Sequence, residues 1–188
     1  MPASFNTAVP DAATAPGRAR LFFALWPGPG LAATLAGWAA QARAACGGRA
    51  MRPDTLHLTL AFLGAVDADR VPDLVAQTLN QPALPGRITL DRYGVFRRQG
   101  IVWAGPADPQ AALQNTYDRL WDWLQPMGWR RPAQAFRPHV TLLRRASQLD
   151  NLPPAPPPAN WAYDGYVLVQ SRPQNGVANY QVLARSPG

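Results

Sequence analysis

Phe136-Arg137-Pro138-His139-Val140-Thr141-Leu142-Leu143-Arg144 repeats a pattern already present upstream, Leu56-His57-Leu58-Thr59-Leu60-Ala61-Phe62-Leu63-Gly64. The chain has two histidines, and both stand in His-x-Thr. Each motif sits in a leucine-rich or β-branched run, the pattern of a mostly buried strand, in which residues i and i+2 share a face. His57 therefore faces the same way as Thr59, and His139 the same way as Thr141. An imidazole gives or takes a proton near neutral pH, and a hydroxyl two residues on can donate a hydrogen bond to an oxyanion. Two such pairs facing one cleft would form a phosphate-sized site with an acid and a base.

A single His-x-Thr in a strand is most often a satisfied, half-buried histidine. Two copies that use every histidine in the chain are hard to place by chance, and they favour catalysis. The position five residues after each histidine differs: Phe62 in the first motif, Arg144 in the second. Simple alternation points Arg144 to the opposite face from His139, so a bulge or a strand end is needed to bring it to the site. Without one, Arg144 is a surface arginine beside Arg145. Phe62 is expected in the core.

Composition narrows the partners. All 18 basic residues are arginine, neither lysine nor glutamate occurs, and the formal net charge is +7. Gene composition alone could give the arginine excess, but physically such a surface favours phosphate-bearing partners, nucleic acid first among them. Without lysine there is no adenylated-lysine intermediate and no Schiff base. One cysteine, Cys46, excludes an internal disulfide and a multi-cysteine zinc site. Two histidines and aspartate alone are a poor ligand set, so chemistry without a metal or other cofactor is expected.

At 188 residues the chain fits one domain or two small lobes with a shared core. Residues 1–17 read as a weakly ordered tail, with no signal peptide and no membrane span, so a cytoplasmic protein is expected. Residues 20–26 read as a buried strand and 29–46 as a helix. The His57 strand follows, then a helix over 67–80 with Val71, Leu74, Val75 and Leu79 inward. Strands 88–96 and 101–105 form a hairpin whose Arg97-Arg98 tip is either a solvated turn or a contact for a nucleic-acid backbone. Asp108-Pro109 is the expected start of a helix to about Gln125, with Leu113, Tyr117, Leu120, Trp121 and Leu124 inward. After the His139 strand, the proline-rich loop 153–158 crosses the surface, and strands over 161–172 and 180–185 flank a turn containing Pro173 and Asn175-Gly176. His57 stands 11 residues after Cys46, and His139 stands 11 after Gly128. This echo suggests two lobes about a pseudo-twofold axis, with a groove between them.

The paired motifs, with the opening Arg20-Leu21-Phe22-Phe23-Ala24-Leu25 and the closing 168–171 and 180–183 segments, resemble the 2H phosphoesterase superfamily, and within it the RNA 2',3'-cyclic phosphodiesterase (2'-5' RNA ligase) family. The resemblance covers about residues 18–186. It implies an α+β fold, bilobal and pseudo-twofold, with two antiparallel sheets flanked by helices and both His-x-Thr strands lining a central groove. It implies hydrolysis of a terminal 2',3'-cyclic phosphate on RNA, tRNA fragments among the substrates, to a 2'-phosphate, without a metal or an obligate protein partner. His57 would be the proton donor and His139 the acceptor, with Thr59, Thr141 and Arg144 holding the phosphate. The reverse joining to a 5'-hydroxyl in a 2'-5' linkage is open to the same groups. A non-catalytic RNA- or nucleotide-binding module, and a phosphodiesterase for small cyclic-phosphate nucleotides, are the alternative readings.

Overall fold

The computed structural model describes residues 17–172 and 178–188. The expected tail, apart from Gly17, and the turn at Pro173 and Asn175-Gly176 lie outside the described residues. In chain order the elements are β1 (Arg18–Leu25), α1 (Pro29–Cys46), β2 (Arg49–Ala50), β3 (Leu58–Asp67), α2 (Val71–Asn80), β4 (Gly86–Leu90), β5 (Arg92–Phe96), β6 (Ile101–Gly105), α3 (Ala111–Leu124), β7 (Val140–Arg144), β8 (Ala159–Tyr163), β9 (Val167–Ser171) and β10 (Tyr180–Arg185). The fold is α+β with two antiparallel sheets. The larger runs β10-β9-β1-β3-β7-β6-β5, with β2 on β7, and the smaller pairs β4 with β8.

The large sheet has two halves that meet at one point. β1 and β3 pair along their whole length, as do β5 and β6, but β3 and β7 touch only at Leu58↔Val140. Leu58 and Val140 are the x residues of the two His-x-Thr motifs, and both are fully buried. Trimming Leu58 to alanine would cost about 2–5 kcal/mol and loosen both motifs together.

Alternation along β1 sorts the sheet's two faces. Leu21, Phe23 and Leu25 point into the main core with Leu35 and Trp38 of α1, Leu74 of α2, and Leu120 and Trp121 of α3. Phe22 and Ala24 point the other way, into a smaller cluster with Val167 and Val169. All five predicted inward positions of α3, from Leu113 to Leu124, are buried.

Several expected boundaries shift. The helix expected from Asp67 begins at Val71, because Asp67 ends β3 and Ala68–Arg70 form a 3-10 turn. Leu79 is 53% exposed, and Thr78 is the buried residue, its hydroxyl donating to Leu74 O at 2.6 Å. The expected strand 88–96 is two strands, since Asp91 leaves the ladder to accept the Ala107 N–H through Oδ1 at 2.7 Å. Likewise 161–172 divides into β8, in the small sheet, and β9, in the large one. Asp108 does not cap α3: the helix starts at Ala111 after Gln110, whose side chain accepts from Thr89 N and donates to Asp108 O. No helix among the described residues is long and apolar enough to cross a membrane.

Candidate active site

Antiparallel pairing at Leu58↔Val140 fixes where the four motif side chains stand. The neighbours of a buried pair point to the opposite face, and the residue after one partner lies beside the residue before the other. His57 is thus next to Thr141, and His139 next to Thr59. The histidines occupy a diagonal of the ladder, where Cα atoms are about 7–8 Å apart.

Both motifs carry the same irregularity. Val102 and Trp103, consecutive on β6, pair with Leu143 and Thr141, so Leu142 is an extra residue in β7. Phe23 and Ala24 on β1 pair with Ala61 and Thr59, so Leu60 is the corresponding extra residue in β3. Each bulge shifts the alternation by one, and both strands show the same burial order: buried, partly exposed, buried, buried, partly exposed. The bulge at Leu142 is the device that alternation demanded for Arg144. It brings Arg144 onto the face of Thr141, and the guanidinium lies close enough to both histidines to disfavour their protonation. The bulge at Leu60 does the same for Phe62, which leaves the main core to pack half-buried against the smaller cluster. That corrects the core placement expected for Phe62. The guanidinium of Arg20, from β1, lies over the Phe62 ring at 4.8 Å.

The two rings are held alike. Nδ1 of His57 lies 2.8 Å from Thr55 O, and Nδ1 of His139 lies 2.8 Å from Arg137 O. A carbonyl can only accept, so each Nδ1 carries the hydrogen and, in the neutral ring, each Nε2 presents a lone pair. Burial lowers the pKa of both, against the favourable carbonyl contacts. His57 falls to about 4, with Arg144 and His139 adding to the effect of burial. His139 is also lowered, with Arg137 and Arg144 adding to burial.

Their surroundings differ. His57 stacks on Trp26 at 5.3 Å and 9°, and it also meets Phe22 and Tyr180. His139 has the edge of Phe96 at 4.9 Å and Trp103 at 6.1 Å. Where β3 parts from the chain leading into β7, a cavity of about 690 Å³ opens, lined by Thr59, Phe62, Phe96, Gln114, Phe136 and His139 among others. Sequence reading expected a groove at the motifs but missed Trp26, Tyr180 and Phe96 beside the histidines. Trp26 could have been found only from the register that sets Leu25 against Leu58 and so puts its neighbour beside His57. Among the described residues no three His, Cys, Asp or Glu side chains cluster as metal ligands would.

Comparison with known proteins gives the same assignment by independent routes. The model of the 2'-5' RNA ligase superfamily matches residues 31–171. The Escherichia coli protein named RNA 2',3'-cyclic phosphodiesterase is 34% identical over 170 residues, covering 88% of this chain and 94% of its own. A Thermus thermophilus protein of the same name is 30% identical over 178 residues, covering 88% of each. The crystal structure of E. coli LigT complexed with 3'-AMP superposes with a TM-score of 0.80 at 30% identity, over 90% of this chain and 98% of that one.

Proposed function

The chain belongs to the 2'-5' RNA ligase superfamily, and from that premise we propose that it is an RNA 2',3'-cyclic phosphodiesterase working by two-histidine acid–base catalysis without a metal. In this reading the cyclic phosphate lies between the diagonal imidazoles. His139, at the open cavity edge, takes a proton from water as the water oxygen bonds to phosphorus. The bond from phosphorus to the 3' oxygen breaks on the opposite side, where His57 supplies the proton. The products are a 2'-phosphate and a 3'-hydroxyl.

In this reading, charge that develops on the non-bridging oxygens is stabilised by the Thr59 and Thr141 hydroxyls and the Arg144 guanidinium. Before substrate binds, both imidazoles are predominantly neutral at pH 7, since burial holds them below their ordinary value. The anionic phosphate opposes Arg144 and restores the affinity of the donor for its proton, so the acid is made when substrate binds. A 5'-hydroxyl in place of water would give 2'-5' joining by the same steps, and water's abundance favours hydrolysis. RNA ends, tRNA fragments among them, are the substrate class that the charge of +7 supports.

The observation that supports this reading is the pair of Nδ1-to-carbonyl contacts, which leave the Nε2 atom of each ring as the one available for proton transfer. The test is incubation with an oligoribonucleotide ending in a 2',3'-cyclic phosphate, in chelator and without ATP, with identification of the product. A 2'-phosphate is expected. A 3'-phosphate, or saturable binding with no product, would overturn it.

A further inference from the structure

Among the described residues, Arg18, Arg52, Arg97, Arg131 and Arg185 are ion-paired to aspartates. Arg92 and Arg137 are different. Among the described residues neither has a carboxylate within ion-pair distance, and each instead lies against an aromatic ring. Arg92 stands 5.4 Å from the centroid of Trp103, and Arg137 stands 6.0 Å from that of Phe96. These are the two rings that flank His139. Both arginines line the cavity that opens at His139, and both are solvent-exposed, with Asp108 the one carboxylate in the same lining.

At about 690 Å³ the cavity far exceeds a cyclic phosphate, and the half-buried ring of Phe136, stacked at 4.1 Å on Tyr117, offers a flat apolar wall inside it. A cavity of this size has room for a nucleoside, and two guanidiniums belong to its lining. A guanidinium against a ring is attracted to its face, and its planar fork of N–H donors suits a phosphate oxygen pair.

Resting on the reading above, we propose that Arg92 and Arg137 form a second phosphate subsite, which binds the phosphodiester on the 5' side of the terminal nucleotide. The chain thereby selects polynucleotide ends over mononucleoside cyclic phosphates. No bond changes at this subsite. It acts through one negative charge of the substrate, placed one nucleotide from the reacting phosphorus.

The test compares kcat/KM at low salt for two dinucleotides that end in a 2',3'-cyclic phosphate, one with a phosphodiester link and one with a neutral methylphosphonate link. The charged link should be favoured about tenfold, as two charge-assisted contacts at an exposed rim allow, and added salt should shrink the preference. In the double variant Arg92→Gln/Arg137→Gln the ratio should fall to near one, with Arg137→Gln alone intermediate. Equal kcat/KM for the two links in the unaltered protein, or a ratio the double variant leaves unchanged, would overturn the proposal while leaving the hydrolytic reading intact. If neither dinucleotide is hydrolysed, the hydrolytic reading fails, and this one falls with it.

Discussion

Five residues past the first histidine the chain places Phe62, with a guanidinium borrowed from Arg20 on the neighbouring strand; five past the second it places Arg144 itself. Around these two positions the backbone is the same, down to the extra leucine at 60 or 142 and the order of buried and exposed residues. Because the strands run antiparallel, Arg144 lies toward the His57 edge of the ladder and Phe62 toward the His139 edge. The His57 edge is flanked by Trp26, Phe22 and Tyr180, while the His139 edge opens to a cavity with Arg92 and Arg137 in its lining. In the proposed mechanism, a repeated backbone sets the positions of the reacting groups, and the unrepeated side chains around it assign them different work. Acid–base chemistry requires such a division, since one imidazole must give a proton while the other takes one.

The largest effects should be symmetric. His57→Ala and His139→Ala should each lower kcat by about 10²–10⁴-fold, the range for a general acid or base, with the circular dichroism spectrum unchanged. Substantial turnover in either variant would remove that histidine from the mechanism. The next effect should be asymmetric. Arg144→Ala should lower kcat/KM by about 10²-fold, as loss of one preorganised donor does, and Phe62→Leu by at least tenfold less. Equal losses would erase the distinction between the two edges.

Smaller effects concern protonation. With both histidines below their ordinary value of 6.5, the kcat/KM optimum of the free protein should lie on the acid side of 6.5. Trp26→Ala lets water reach His57, raises its pKa and moves that optimum to higher pH. No movement would mean that the indole does not desolvate the ring. The sign for stability follows from the same lowering: the folded state binds fewer protons than the unfolded one between pH 6.5 and about 4. Stability should therefore be full above pH 6.5 and decline as pH falls through that window, measurable as a falling urea midpoint. His57→Asn should flatten the decline.

The site was legible in part because its signal is local. His and Thr at i and i+2 in an apolar strand share a face whatever the rest of the chain does, and the two copies made the pairing visible. Arg144 was legible only as a condition, since the bulge at Leu142 is defined by its partner strand β6, some 40 residues earlier in the chain. The split at Asp91 was hidden because 86–90 and 92–96 both read as strands. What separates them is β8, paired with β4 across 70 residues of sequence, and the Ala107 N–H that Asp91 accepts. Thr78 was passed over for Leu79 because hydropathy ranks a threonine as surface, whereas its bond to Leu74 O satisfies the hydroxyl inside. The cavity has no sequence signature, for it is the space left where two strands diverge.

The central claim is that His57 and His139, alike in frame, divide as donor and acceptor. A 2',3'-cyclic phosphate with sulfur in place of the 3' oxygen tests it most directly, because a thiolate leaves without needing a proton. Turnover of this substrate should be largely restored in His57→Ala and remain absent in His139→Ala. Restoration in His139→Ala instead would reverse the two roles, and restoration in neither would contradict acid catalysis of the leaving step by either histidine.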